Sequence, residues 1–376
     1  MSIARRSSRT GERVIVRALF ACAVLSIAVT VGIVAVLVID AVEFFRESSL
    51  VEFLTGTVWA PGQGGGEGGQ YGVLPLINGT LMIGIGATLV GLPLGVLTAI
   101  YLSEYASPRV RGMLKPTLEI LAGIPTVIVG YFALQFVTPS LLRPIFGDDR
   151  VFIFNAAAGS IAVGLMILPI IASISEDAMR SVPASLREAA YGLGSTRRQV
   201  SLRVVVPAAL SGIAASVILA FSRAVGETMA VTIAAGNSPR MTLDFFTSIQ
   251  TLTASIAQTV SGEASAGTVR YNALFALGLT LFVWGTFYGS WDVAMNVHGS
   301  AVEQRAGREW MPRYHACWSV GGIAGAGCGA LAAHAGMPLT LHFSAVAVLC
   351  TALVMVALRA FVEDRADVAV VASGPA

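Results

Sequence analysis

The sequence predicts an all-α integral membrane protein, because of its composition, its long apolar segments and the placement of its arginines. Of the 376 residues, 55% are hydrophobic and 12% are charged, and the mean hydropathy is +0.75. Soluble domains carry about 25% charged residues, so a water-soluble core could not enclose this much apolar sequence. A bilayer accommodates it as helices of roughly 20 apolar residues each.

Eight apolar segments are long enough to be candidate spans. They cover residues 14–39, 76–103, 116–139, 155–175, 207–235, 271–288, 316–336 and 339–361. The first segment follows several arginines, but it is too long for a signal peptide and no clear cleavage site precedes Asp40. We therefore expect it to remain as a span. Glycines in the second segment predict close contact with a neighbouring helix: Gly84, Gly86, Gly91 and Gly95.

Basic residues are concentrated in every second loop. One set of loops and termini holds Arg5, Arg6, Arg9, Arg13, Arg17, Arg109, Arg111, Lys115, Arg180, Arg187, Arg197, Arg198, Arg203, Arg305, Arg308, Arg313, Arg359 and Arg365. The opposite loops hold Arg46, Arg143, Arg150, Arg240 and Arg270. Loops rich in Lys and Arg stay on the cytoplasmic side of a membrane. The bias therefore predicts a multi-pass protein of the cell membrane with both termini in the cytoplasm.

Several kinds of chemistry lack the residues that they need. Lys115 is the one lysine, and it does not stand in the Gly-Lys-Ser/Thr of a phosphate-binding loop. The four histidines and four cysteines do not have the spacing of a metal site. We therefore predict a protein that is not an enzyme and holds no cofactor or metal of its own. Its basic residues are expected to face lipid headgroups and partner proteins rather than nucleic acid.

The loop between the fourth and fifth segments, residues 181–207, contains a predicted amphipathic helix. Its apolar residues recur at i, i+3, i+4 and i+7: Leu186, Ala189, Ala190 and Leu193. Pro183 suits the first turn of this helix, Gly192 and Gly194 end it, and Ser195 can cap a second helix. Such a helix can lie on the membrane surface or dock in a groove of a partner protein.

In this loop, seven residues resemble the EAA loop of ABC importer permeases: Glu188, Ala189, Ala190, Gly194, Val204, Val206 and Pro207. The resemblance implies that the loop is a coupling helix that inserts into a separate ATPase subunit, where ATP and Mg²⁺ would bind. The small alanines would let the two backbones approach, and Glu188 would pair with a basic residue of the ATPase. The implied fold is a type I (MetI-like) helical core of about six spans.

Segments on both sides of the loop are similar to the PstC-type phosphate permease family. The likeness is carried by residues 54–61, 71–81, 100–106, 121–127 and 222–231. Of these, the outer-loop residues 54–61 and 71–81 distinguish this family from its usual partner, the PstA-type permease. The resemblance implies a permease subunit of an ATP-driven phosphate importer. Its partners would be a PstA-like second permease, two PstB-like ATPases and a PstS-like phosphate-binding protein. A permease for another anion, such as sulfate or molybdate, is the alternative.

Arg223 and Glu227 stand out in an otherwise apolar segment. On a continuous helix their i, i+4 spacing places both on one face. A charge at the bilayer centre costs about 3 kcal/mol on insertion scales, so charged residues there face a pathway or pair with one another. One interpretation is a structural ion pair. The other is that Arg223 meets the phosphate anion on the translocation path while Glu227 holds the guanidinium in place.

The likeness to the phosphate permease ends near the middle of the sixth segment. After residue 285, four stretches resemble a fragment of a major facilitator superfamily transporter: 292–299, 302–305, 312–315 and 319–322. We therefore divide the chain into residues 1–75 (first span and outer loop), 76–285 (permease core) and 286–376 (appended fragment with about two spans). The fragment is too short to form a facilitator cavity, so we expect it to pack poorly and to carry no transport. It could be a gene fusion, a recombination product or an assembly error, and a chimera that never assembles is a further alternative.

Overall fold

The computed structural model describes residues 9–61, 69–262, 264, 267–306 and 311–358, most of which are helical. The helices are α1 (Arg9–Glu47), α2 (Leu50–Thr55), α3 (Leu74–Ile100), α4 (Pro108–Ala122), α5 (Thr126–Phe132), α6 (Arg143–Phe146), α7 (Ala156–Ser181), α8 (Ala184–Gly192), α9 (Arg197–Val200), α10 (Val206–Ala208), α11 (Leu210–Val225), α12 (Met229–Ala235), α13 (Leu252–Ser261), α14 (Val269–Ala306), α15 (Met311–His334) and α16 (Leu339–Leu358). π-helical stretches continue α3, α5 and α9 at Tyr101–Tyr105, Ala133–Leu142 and Ser201–Val205. Two short antiparallel strands, β1 (Trp59–Ala60) and β2 (Gln70–Tyr71), pair between α2 and α3.

Among the described residues, five helical segments are long and apolar enough to cross a membrane. They are Arg13–Glu47, Leu74–Tyr105, Thr126–Phe146, Ala156–Ser181 and Val269–Gly299. A sixth crossing is possible if Arg197–Ala208 and Leu210–Val225, which meet at an angle of 68°, count as one span. The prediction of an all-α membrane protein with a core of about six spans is therefore confirmed.

The third predicted span, 116–139, was placed wrongly. Helix α4 ends at Ala122 and a new helix begins at Thr126, so the apolar crossing is 126–146. Gly123 ends α4, and Pro125 disfavours the helical conformation at the residue before it. Helix α4 is a separate element beside α7, and none of its residues is buried.

The fifth predicted span, 207–235, is interrupted twice. Ala209 leaves the helical conformation (φ −91°, ψ 5°) two residues after Pro207. A second break separates the end of α11 at Val225 from the start of α12 at Met229. The expected single helix carrying Arg223 and Glu227 was therefore wrong, because Glu227 lies in the break.

The centre of the molecule is the contact between α3 and α7. Buried apolar residues from both helices form one cluster, which includes Ile83, Ala87, Val163 and Ile167. The helices approach so closely that a Cβ on Gly164 would lie 2.8 Å from the Cβ of Val90 and 2.9 Å from the carbonyl oxygen of Ala87. Each predicted packing glycine of α3 likewise faces another element: Gly84, Gly86, Gly91 and Gly95.

An extended segment, residues 236–251, connects α12 to α13 and packs on the beginning of α7. The first N–H groups of α7 have no partners within the helix. The backbone N–H of Ala156 donates to the carbonyl of Thr247, and that of Ala157 donates to the carbonyl of Phe245. Non-helical backbone is tolerated at membrane depth where protein satisfies it in this way.

The C-terminal part lies at the edge of this core. Helix α14 packs along α1 and continues past residue 285, the predicted end of the permease core. Helices α15 and α16 overlap the seventh and eighth predicted segments, but neither is among the described helices that are long and apolar enough to cross a membrane. No described residue of either helix belongs to the buried apolar clusters, and Gly321, Gly325 and Gly327 have nothing within 4 Å of a Cβ position. These observations agree with the expected poor packing of this part.

Replacing Gly164 by Ala should destabilise the protein, because its methyl group would push α3 away from α7. We expect a loss of about 1–3 kcal/mol of unfolding free energy, seen as a lower melting temperature of the purified chain in detergent. Gly112→Ala is the matched control, since a Cβ there meets nothing within 4 Å. Equal melting temperatures for the two variants would contradict the close packing of α3 and α7.

Candidate translocation and coupling sites

Arg223 and Glu227 form an ion pair although the helix between them has ended. The Nη1 of Arg223 donates to Oε2 of Glu227 at 2.6 Å. The other carboxylate oxygen of Glu227 accepts from the backbone N–H of Ala230 at 3.3 Å, in the first turn of α12. Thr253 donates to the carbonyl of Glu227 at 2.8 Å. Glu227 is therefore fixed from three sides, and it closes the break between α11 and α12.

The two members of this pair differ in exposure. The side chain of Arg223 is 42% exposed, whereas that of Glu227 is 3% exposed. Arg223 lies on the exposed face of α11 with Leu219 and Ser222. The ion pair occupies one of the five N–H donors of a guanidinium. The remaining donors can therefore meet an anion at this face while the pair stays intact.

A group of polar contacts, which sequence reasoning missed, joins the start of α3 to the segment before α13. Thr80 Oγ1 accepts from the backbone N–H of Leu252 at 3.0 Å, and Asn78 Oδ1 accepts from that of Thr242 at 3.2 Å. Gln250 donates to Gln258 at 2.6 Å. The sequence signal was the presence of polar side chains in an apolar chain, but Asn78 and Thr80 bond partners 164 and 172 residues away, which no local pattern links to them.

The predicted coupling helix is present as α8. Pro183 is its N-cap rather than a residue of its first turn, and Gly194 follows it with φ +81°. The expected cap of the second helix at Ser195 was wrong, because Thr196 is the N-cap of α9. Thr196 forms a capping box with Gln199, which stands three residues later where a box needs Glu or Gln. Pro207 lies in α10, before the bend into α11.

Helix α8 presents the residues of the EAA resemblance to the outside. Glu188 and Ala189 are exposed, and Ala190 is half-buried against a cluster formed by the end of α7 and the residues after α8. Leu193, at the end of the predicted apolar stripe, is 89% exposed. The apolar stripe is therefore only partly covered within this chain, as a surface for a partner would be.

Arg187 attaches α8 to the membrane helices. It pairs with Glu104 in the π-helical continuation of α3, with Nη2 and Oε1 3.1 Å apart. The same guanidinium donates to the carbonyls of Met179 and Val182 at the end of α7. Glu104 also accepts from the hydroxyl of Ser103 at 2.8 Å.

A second buried carboxylate, Glu176, fixes α4 to the same end of α7. Its fully buried side chain pairs with Arg111 and Lys115, each at 2.8 Å, and with Arg180 at 3.7 Å. Lys115 also contacts Asp177 at 2.6 Å. Burial lowers the pKa of Lys115, but the hydrogen bonds with Asp177 and Glu176 outweigh it, so the pKa lies above its usual value. Lys115 is therefore charged at neutral pH and holds α4 in place.

The structure keeps the two predicted groups of site residues apart. The coupling residues precede α11, and the Arg223–Glu227 pair lies at its far end. Helix α11 has 16 residues, so it spans about 24 Å. A signal between the two groups must therefore pass along helices that contact both.

Comparison with known proteins shows the family to which this chain belongs. Residues 91–295 match the family described as "Binding-protein-dependent transport system inner membrane component". The "Probable ABC transporter permease protein YqgH" of Bacillus subtilis is 37% identical over 265 residues, which cover 70% of this chain and 84% of that protein. The phosphate transport system permease protein PstC of Mesorhizobium japonicum is 35% identical over 247 residues, 61% of this chain and 73% of that protein.

Two further likenesses are more distant. The phosphate transport system permease protein PstA 1 of Mycobacterium tuberculosis is 34% identical over 175 residues, 46% of this chain and 55% of that protein. A chain of a bacterial alginate ABC transporter, solved with an alginate-bound periplasmic protein, superposes with a TM-score of 0.52 at 17% identity. The superposition covers 74% of this chain and 93% of that chain and supports the fold alone.

These relatives are membrane components of transport systems, not enzymes, and the family match includes both α8 and the Arg223–Glu227 pair. The chain therefore belongs to the family of binding-protein-dependent transport system inner membrane components, as a multi-pass permease subunit.

Proposed function

We propose that this permease forms part of the translocation path of an ATP-driven phosphate importer. The observation that carries the proposal is an arginine in a membrane helix whose side chain is 42% exposed and is paired to a fixed, buried glutamate. Relatives named as phosphate transport permeases, about one third identical to this chain, support phosphate as the substrate. A permease for sulfate or molybdate is the competing assignment.

Arg223 is the group proposed to contact phosphate. Its planar fork of donors matches the geometry of phosphate oxygens. Glu227 alone would repel an anion, but its carboxylate is already occupied by Arg223 and by the N–H of Ala230. Arg223 can therefore contact a passing anion through its remaining donors, because Glu227 keeps the guanidinium in place through one donor.

The exposed α8 is proposed to bind an ATPase subunit. Glu188 and Ala189 would face the ATPase, Ala190 would seat the coupling helix against its own chain, and Gly194 and Pro207 would shape the loop around the helix. The complete importer would contain a PstA-like second permease, two PstB-like ATPases that hold ATP and Mg²⁺, and a PstS-like binding protein. ATP binding would draw the coupling helices together and open the path outward, and hydrolysis would reset it.

Both termini are proposed to be cytoplasmic. The support is the excess of basic residues in the loops on the α8 side of the membrane, including Arg197, Arg198 and Arg203. We also propose the three-part division of the chain into residues 1–75, 76–285 and 286–376. The last part would be a passenger that takes no part in transport.

A permease-deleted strain that expresses this chain with the remaining subunits should take up labelled phosphate in an ATP-dependent manner. A version truncated after Trp284 and given a short basic tail should transport equally well, because the passenger contributes nothing to the path. Uptake by the truncated chain alone would mean that the appended helices prevent assembly. If neither version imports phosphate while both are present in the membrane, and sulfate or molybdate is imported instead, the substrate assignment is wrong.

Arg223→Ala should lower phosphate uptake at least about tenfold without changing the amount of protein in the membrane, since charge-assisted bonds to phosphate are lost. Arg223→Lys should keep part of the activity. Arg46→Ala is the control, because Arg46 also pairs with a glutamate but is 70% exposed. Normal uptake by Arg223→Ala would leave the pair with a structural role only.

Glu188→Lys should reduce co-purification of the ATPase with this chain by about tenfold, because it reverses the charge at the proposed docking surface. Glu52→Lys makes the same change in the exposed α2 and should have no effect. Since ATP is cytoplasmic, binding that depends on Glu188 also places this loop in the cytoplasm. Unchanged co-purification would contradict both the docking surface and the orientation drawn from it.

A further inference from the structure

Helix α8 has few attachments to the rest of its own chain. None of its residues is buried, and its main contacts are with α9 and the π-helical turn that follow it in sequence. The described links from α8 to the membrane helices come from Ala190, which packs on the cluster at the end of α7, and from Arg187. Arg187 makes the only ion pair of the described α8.

The Arg187 bridge, which consists of Arg187, Glu104 and the carbonyls of Met179 and Val182, joins three elements through one side chain. Its Nη1 donates to Val182, and its Nη2 donates to Met179 at 2.8 Å and to Glu104 at 3.1 Å. Arg187 is 20% exposed and Glu104 is 6% exposed, so water screens the pair weakly. A rigid planar fork can hold all three acceptors at once, whereas the point charge of a lysine cannot.

We infer that Arg187 is the positioning residue through which movement of α8 is transmitted to α3 and α7. This inference rests on the proposed function of α8 as the coupling helix. It adds the route by which a movement of α8 reaches the transmembrane helices. Glu188 remains exposed for a partner while its neighbour Arg187 turns inward to Glu104. Adjacent residues of α8, about 100° apart around the helix, thus point in different directions, one toward the proposed partner and one toward the transmembrane core.

The helix ends that Arg187 contacts belong to α3 and α7, the two helices that form the packed core. Glu104 continues α3, and Met179 is a fully buried residue of α7. Helices α3 and α7 are in close contact along most of their length, so they move as a unit. A pull on α8 would therefore act on both helices together instead of bending the loop alone.

The test uses the complete transporter in proteoliposomes, with phosphate import and ATP hydrolysis measured together. Glu104→Ala and Arg187→Lys should lower the phosphate imported per ATP hydrolysed by about fivefold, within the range of known coupling effects. The double variant Glu104→Ala/Arg187→Lys should be no worse than the more severe single variant, because both remove one interaction. Glu43→Ala, which breaks an exposed ion pair on the outer side, should keep the normal ratio.

A second measurement does not depend on the substrate. In the purified full chain, amide hydrogen exchange of α8 should be about fivefold faster in both single variants than in the unmodified chain, because the helix has lost its attachment. Exchange of α11 should be unchanged. Failure of the unmodified transporter to import phosphate would reject the proposed function and leave this readout intact. Unchanged exchange in α8, or a parallel fall of import and hydrolysis, would overturn the inference about Arg187.

Discussion

The close packing of α3 on α7 is the interaction on which the other elements depend. Within an apolar bilayer the hydrophobic effect does not drive helices together, so close van der Waals contact at small residues must hold them. The glycines of α3 and Gly164 of α7 provide that contact. Helices α11 and α12 then pack on α7, the extended segment satisfies its first N–H groups, and α4 is attached near its other end through Glu176.

The candidate functional residues lie where this regular packing is interrupted. Glu227 occupies the break between α11 and α12, and Glu104 lies in a π-helical turn at the end of α3. Such interruptions release backbone groups that must be bonded again in an apolar environment. Glu227 does this by accepting the N–H of Ala230, and Arg187 does it by donating to two carbonyls at the end of α7. The same charged groups that could serve transport therefore also repair the helix ends.

The sequence predicted the class of fold, the core spans and the existence of α8, because hydropathy and helical periodicity are local properties. It placed the third span wrongly because Gly123 and Pro125 were counted as tolerable within one apolar run. The prediction of the fifth span was wrong for a related reason. The break after Val225 follows from Gly226 and from the hydrogen bonds of Glu227, one of which is donated by the hydroxyl of Thr253. The predicted contact between Arg223 and Glu227 is nevertheless present, because a long arginine side chain can reach across a turn as well as along a helix. The pairing of Arg187 with Glu104 could not be predicted, since the two residues are 83 positions apart.

Helix α7 is the element that relates the two candidate sites. At one end it meets the Arg187 bridge, and farther along it packs on α11, where Ser175 and Ser216 are hydrogen-bonded at 2.9 Å. It also contacts α12, in whose first turn the N–H of Ala230 donates to the carboxylate of Glu227. Helix α7 therefore contacts both the helix that carries Arg223 and the helix that binds Glu227. Because Glu227 is bonded to α12, it moves with that helix, whereas Arg223 is carried by α11. In the proposed mechanism, relative movement of α11 and α12 would stretch or relax the ion pair, and movement of α8 would in this way change how firmly Arg223 is held.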